Sequence, residues 1–326
     1  MIRKKLTGSI AFSIVALTLI LLVNFFLPRL MPGDPLAFLI GSDEGISEEE
    51  YNEYYHTMGL DKPIGEQFAD YLDNLFHGRL GYSYHHGRDV GEVLKEKLPR
   101  TLLIAFPAWI ISALIALLLG IYAGYRRRGL FDRLTSGAMV VADTLPTFLM
   151  AMLLLIVFAY ELNWLPFGAL NSAIAPEGAL SAFADRLRHL VLPVLTIVLA
   201  STPKKYLLMR SAAAKAADEK YIVYARARGL STPAVLFRHV FPNVGQPFIA
   251  MLGTGFGKIL SGSIVVEMIF SIDGMGTLVS RAITDLDYPV LQAAFMIIAL
   301  SVIASNLIAD LICLLIGPRQ GGAESL

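Results

Sequence analysis

Six stretches of this chain stay apolar long enough to cross a bilayer, at about 8–28, 101–125, 134–160, 189–209, 243–270 and 290–316. A helix rises about 1.5 Å per residue, so about 20 residues cross a hydrocarbon core of about 30 Å. The pattern predicts an all-α polytopic membrane protein with six transmembrane helices. Two stretches contain proline, Pro107 in the second and Pro146 in the third; membrane helices tolerate it where neighbours re-satisfy the freed carbonyl. With the N-terminus inside, sixteen Lys and Arg fall on inner segments and ten on outer ones, seven of those ten in one long loop. Long loops cross largely regardless of charge, so the short loops decide, and they place both termini in the cytoplasm.

The polar stretches divide the chain. Residues 1–28 form an N-terminal transmembrane helix, 29–100 an extracytoplasmic element, 101–316 a five-helix core with a cytoplasmic loop at 211–240, and 317–326 a flexible cytoplasmic tail. The 29–100 loop is too long for a plain connection. Its "SEEE" at 47–50 reads as a capping box, with Ser47 and Glu50 as the reciprocal pair. A second helix is expected after "DKP" at 61–63, with Pro63 in its first turn, and "HGRLGYS" at 77–83 turns the chain. Segments 161–188 and 271–289 are shorter outer loops.

Composition agrees with a lipid setting: 55% of the 326 residues are hydrophobic and 17% charged. The formal net charge of +0 gives no bulk field for nucleic acid. The lone Cys313 permits no intrachain disulfide.

Chemistry of its own is hard to find in the chain. "GTGFGKIL" at 253–260 imitates a phosphate-binding loop, but Leu252 stands where the first glycine belongs and Ile259 where Ser or Thr would reach magnesium. Its glycines fit close helix packing better. There is no zincin motif and no nucleophile elbow, and the His85-His86 doublet lacks a third metal ligand. No catalytic residue and no metal site is assigned. An ion-driven carrier is the remote alternative; no inverted repeat or broken-helix pair is legible.

Ionisable residues within the spans are costly, and therefore informative. Asp143 and Lys258 fall near mid-depth, Glu267 near the outer end of the fifth span and Asp310 near the inner end of the sixth. Asp143, Lys258 and Glu267 are candidates for a polar translocation path. Asp143 and Lys258 either pair across it or are accommodated separately.

The cytoplasmic stretch "DEKYIVYARARGL" (218–230) carries five charges in thirteen residues between two apolar spans. Good helix formers run to Arg228, Gly229 offers a C-terminal stop, and Pro233 opens a new turn. A helix, a sharp turn and a second short helix are expected.

"YIVYARARGLS" followed by "LFRHVFPN" resembles the cytoplasmic "EAA" loop of ABC-importer permeases, in particular the first permease type of the dipeptide/oligopeptide/nickel permease family. "MPGDP" (31–35), "MGLDKP" (58–63), "HGRLGYS" (77–83), "GSIVVEMIFSIDGMG" (262–276), "DYPV" (287–290) and "NLIADLICLLIGPR" (306–319) extend the likeness over nearly the whole chain. The resemblance implies the type I ABC importer permease fold and a multi-pass position in a prokaryotic cell membrane. It implies a second homologous permease, two ABC ATPase subunits that bind ATP and Mg, and an extracytoplasmic substrate-binding protein. This chain would hold no cofactor itself. Peptides are the implied cargo, with nickel or a metal chelate as the alternative, thinly supported by His189 and Asp143. Glu219, Tyr221, Ala225, Arg226, Arg228, Gly229 and Leu230 would couple to the ATPase, with Ala225 small enough to enter its groove and Arg226 and Arg228 contacting the ATPase or inner-leaflet phosphates. Asp143 and Lys258 stand where uncharged residues are expected, which makes them candidates for specificity.

Overall fold

The computed structural model describes residues 2–30, 61–83, 85–174, 176–285 and 287–316, with Glu49, Asn52, Tyr55 and His56 between them. The capping pair Ser47 and Glu50, the "MPGDP" stretch and the 317–326 tail lie outside the described residues. Helix α1 spans Ile2–Leu30. The 29–100 segment contains α2, Ile64–Phe76, which starts directly after Pro63. The Pro63 carbonyl accepts the amides of Glu66 and Gln67, as a helix start at this proline requires. "HGRLGYS" turns the chain through Gly78 and Gly81, at φ 71° and 94°. A two-residue antiparallel ribbon follows, β1 (Tyr82–Ser83) with β2 (Arg88–Asp89), which the sequence reading lacked.

Helix α3, Val90–Tyr125, begins eleven residues before the apolar run at 101. The extension has a cause in packing: Val90, Val93 and Leu94 are buried in one cluster with Leu278, Tyr288 and Leu291. The third apolar stretch is not one straight helix. It forms α4 (Leu130–Thr144) and α5 (Thr147–Leu154), the latter continuing as a π-helical stretch to Glu161. The two arms are bent by 103° at Leu145-Pro146. A broken-helix pair is therefore present where the sequence showed none, because Pro146 here ends the first arm instead of being absorbed within it.

Helix α6, Ala179–Ala217, runs past both ends of the fourth apolar stretch. Then come α7 (Lys220–Ala227) and α8 (Thr232–Val235). The second short helix expected after Gly229 is continuous with the fifth stretch: α8 passes through a π-helical turn, Leu236–Val240, into α9, Phe241–Ile269. Pro242 stands where the π-helical turn passes into α9, so the missing proline N–H falls at the irregular junction and outside the regular run of α9. The segment 271–289, read as an outer loop, contains α10, Met275–Thr284, and α11, Tyr288–Ile316, is the last described element.

Small residues set the helix spacing. A Cβ at Gly120 would lie 2.7 Å from Met209 Cβ, and one at Gly124 2.3 Å from the Arg210 carbonyl oxygen, so α3 and α6 touch backbone to backbone. A Cβ at Gly253 would lie 2.4 Å from Ala309 Cβ and one at Gly257 2.2 Å from Val302 Cγ2. The glycines of "GTGFGKIL" thus seat α9 against α11, as the packing reading expects. Helix α1 is held to α11 by a reciprocal pair: Asn24 Nδ2 donates to the Gln292 carbonyl (2.8 Å) and Gln292 Nε2 to the Asn24 carbonyl (2.7 Å). By length and hydropathy α3 and α11 are each able to cross a membrane, and the bent α4–α5 pair makes a third crossing if taken as one span.

Candidate coupling hairpin and transmembrane path

The stem of the hairpin is α6, which stops at Asp218, and α7 restarts two residues later at Lys220. Asp218 is gripped from the end of α3: Arg127 donates through Nη1 and Nη2 to its two carboxylate oxygens, each at 2.7 Å. Glu219 takes the cap position of α7, its carbonyl accepting the amides of Ile222 and Val223. Arg228 follows α7, and Gly229 then adopts φ +76°, a left-handed conformation that costs a residue with a Cβ roughly 1–2 kcal/mol. That conformation lets the Gly229 and Leu230 amides fold back onto the Arg226 and Ala225 carbonyls.

The two sides of α7 differ. Ile222 and Ala225, the latter 5% exposed, are buried in a core cluster with Met209, Ala213, Val235 and Val240. The expectation that Ala225 enters another protein's groove is corrected here: its small side chain lets α7 lie flat on its own bundle. Arg226 stacks its guanidinium 4.2 Å over the Tyr125 ring and donates to the Tyr125 hydroxyl at 3.1 Å, so it ties α7 to α3. Exposed on α7 and its two caps are Glu219, Lys220, Tyr221, Val223, Tyr224, Ala227 and Arg228, beside the Arg226 that stacks on Tyr125.

Just above this hairpin the stem is clamped to α4. Arg210 donates to Asp132 through Nε and, at 2.7 Å, through Nη2. The Arg128 amide (2.9 Å) and the Ser136 hydroxyl (3.2 Å) donate to the same carboxylate. Asp132 is thus buried and satisfied on four sides, as a carboxylate at this depth needs.

The path candidates fall into different settings. Asp143, 34% exposed, faces Lys204 of α6 at 3.8 Å, and Lys204 is itself 82% exposed. Lys258 lies on α9, but its side chain is outside the described residues. Lys205, read from sequence as one more inner-surface cation, is buried at 8% exposure. Its Nζ donates to Ser112 Oγ of α3 at 2.5 Å. Glu267 is fully buried. It accepts the Thr101 hydroxyl (2.7 Å), the Ser263 hydroxyl (3.1 Å) and the amides of Gly276 (2.7 Å) and Thr277 (3.2 Å). Its surroundings make it the N-terminal anchor of α10, with no open face toward a path; the charge sits where the helix dipole favours an anion. Gly274 and Gly276 are required beside it, since a Cβ on either would fall 2.6 Å or 2.9 Å from Glu267 Oε2.

At the end of α3 away from the hairpin, Lys97 and Arg100 hold Asp273, Arg100 Nη1 at 2.6 Å. Burial pushes the Asp273 carboxyl up, but the Lys97 hydrogen bond and the charges of Lys97, Arg100 and Arg281 outweigh it and hold it below the usual carboxylate range. His189 is a core histidine: Nδ1 lies 2.7 Å from the Gly168 carbonyl and Nε2 3.3 Å from Ser172 Oγ. Among the described residues no group of three or more His, Cys, Asp or Glu is placed to hold a metal ion. Sequence reasoning missed the Asp143–Lys204 pair and the Lys205–Ser112 contact; the adjacent lysines at 204–205 were the signal, since consecutive helical residues point about 100° apart and cannot both snorkel one way.

Long apolar helices, close glycine packing, a broken crossing and a short clamped hairpin on a helix stem describe a multi-pass membrane protein. The comparisons with known proteins agree. Residues 116–322 match the family described as "Binding-protein-dependent transport system inner membrane component", and residues 1–105 its N-terminal companion, "Binding-prot-dependent transport system membrane comp, N-term". The chain is 32% identical over 316 residues to a di/tripeptide transport system permease protein of Pseudomonas aeruginosa, covering 91% of this chain and 93% of that one. It is 32% identical over 319 residues to a probable D,D-dipeptide transport system permease protein of Escherichia coli, covering 93% of each. A putative peptide transport system permease protein of Brucella abortus is 31% identical over 310 residues, covering 95% of this chain and 96% of that one. This chain belongs to the binding-protein-dependent transport system inner membrane component family, as a multi-pass inner-membrane permease of an ABC transporter.

Proposed function

We propose that the chain is one of two permease subunits of an ATP-driven peptide importer, with six spans and both termini in the cytoplasm. Two ABC ATPase subunits bind ATP and Mg at the inner face, a homologous permease completes the path, and an extracytoplasmic binding protein delivers di- or oligopeptides. The observation that carries the coupling is the division of α7: one face is locked into the bundle by Ile222 and Ala225, and the other offers Tyr221, Val223 and Tyr224 uncovered. Apolar side chains left exposed on a short, rigidly held helix fit a partner's groove. Force on α7 would reach α6 directly and α4 through Arg210 and Asp132, so closing of the ATPase dimer rocks the bent span. The peptide cargo is supported by the relatives, which are named as peptide, dipeptide or tripeptide transport permeases.

The bent α4–α5 pair is a feature ion-driven carriers also use; the family match and the inner hairpin favour an external motor. The test is reconstitution in proteoliposomes with the two ATPases, the sister permease and the binding protein. Labelled trialanine accumulates only with ATP. Accumulation by this chain alone on an ion gradient, or uptake of nickel but no peptide, overturns the reading.

A further inference from the structure

The Asp143–Lys204 pair joins the apolar helix α6 to the elbow of the bent α4–α5 pair and is open, with Lys204 82% and Asp143 34% exposed. Along α6, Arg210 meets Asp132 near the inner end of α4, and Tyr206 meets Ser136 at 3.1 Å. Farther out, Leu192 and Val198 share a core with Ala151 and Ala159 of the α5 arm. Leu192 and Arg210 are eighteen residues apart, about 27 Å at about 1.5 Å per residue. Lys204 stands six residues in from Arg210, about 9 Å on the same rise. Asp143 reaches it from the elbow of the bent span, two residues before Leu145-Pro146.

Two charges on a lipid-facing surface there would cost about 2.5–3.5 kcal/mol each. They therefore face water or protein. Neither side chain is satisfied by the chain itself. At 3.8 Å the pair is longer than a hydrogen bond. Among the described residues neither side chain makes any other polar contact. An ammonium has three donors and a carboxylate about four acceptor positions, so both keep most of their capacity. Lys205, next along α6, turns inward to Ser112 and adds a second positive charge behind the face.

We propose that Asp143 and Lys204 form a way-station for the two charged ends of a peptide main chain, Asp143 taking the terminal ammonium and Lys204 the terminal carboxylate. The proposal rests on the peptide-import reading. Unlike charges side by side complement the one feature that free peptides of every sequence share. A flat, open placement suits cargo of varied side chains, which a shaped pocket would exclude. A bare divalent cation would meet two ammonium groups for one carboxylate.

The experiment uses the complete complex in proteoliposomes with labelled trialanine. Asp143→Asn and Lys204→Met should each lower ATP-driven uptake about tenfold, while ATPase stimulation by loaded binding protein stays within about twofold of wild type. Lys204→Arg, which keeps the charge, should retain most uptake. The doubly exchanged Asp143→Lys, Lys204→Asp protein keeps an ion pair but reverses its direction, and should stay as impaired as the single variants. Wild-type uptake in both single variants overturns the proposal. So does recovery in the exchanged protein, which would show a pair serving only structure. Loss of ATPase stimulation together with uptake in both singles and in Lys204→Arg would also overturn it, by showing a role in assembly. If wild-type complex takes up no peptide, the import reading itself has failed.

Discussion

Thr101 of α3 donates to Glu267 of α9 at 2.7 Å, and the same hydroxyl oxygen accepts the Met275 amide at 2.7 Å. With the Gly276 and Thr277 amides on Glu267, three successive N–H groups at the start of α10 are satisfied by side chains of two other helices. An N-terminus buried without such partners would leave orphan donors.

Glu267→Gln should therefore loosen α10. The amide brings a donor toward backbone donors, and leaving a buried polar group unsatisfied costs about 1–3 kcal/mol. The melting temperature of the detergent-purified chain should fall, as should that of Thr101→Val. The double variant should lose less than the sum, since both residues act on one knot. A Glu267→Gln protein that melts with wild type removes the anchoring role.

Acid should release the other tie on α10. Asp273 has its carboxyl held below the ordinary range by Lys97 and Arg100. A depressed folded value means that the ion pair adds stability at neutral pH and loses it as pH falls through that depressed value. Wild-type melting temperature should drop more steeply than that of Asp273→Asn between about pH 5 and pH 3. Parallel curves would show that Asp273 contributes nothing to the fold.

The membrane character and the helix–turn–helix of the 211–240 segment were legible because each depends on local pattern. Apolar length marks a span, and Gly229 marks a stop whether or not anything packs near it. The 103° elbow was not legible, since Pro146 is compatible with a continuous helix or a break and only the packing of both arms decides. Helix α10 was hidden because its start is fixed by side chains of two other helices, Glu267 nine residues away and Thr101 174 residues away. Ala225 misled for a related reason: a small residue on a short helix suits a foreign groove or the protein's own core equally, and Ile222 beside it decides for the core.

Glycine packing yields a sharper contrast. Gly124→Leu puts a side chain where even a Cβ would lie 2.3 Å from the Arg210 carbonyl, so α3 and α6 must separate. Membrane-inserted, folded protein should fall severely, as for overpacking that backbone cannot relax. Gly91→Ala, with nothing within 4 Å of the new Cβ, should be silent. Fluorescence size-exclusion profiles of tagged variants report both; equal profiles would refute the close contact.

The turn at Gly229 separates conformation from contact. A Cβ there meets nothing within 4 Å of the chain, so any loss on substitution comes from φ +76° or from a partner. Asn enters the left-handed region readily and a β-branched residue does not. Gly229→Val should leave insertion intact and abolish both peptide uptake and coupled ATPase activity, because α7 can no longer fold back toward α8. Gly229→Asn should keep a substantial part of both. Equal loss in Val and Asn would move the requirement from the backbone to a surface that admits no side chain, and normal uptake with Val would end the assignment of this hairpin as the coupling element.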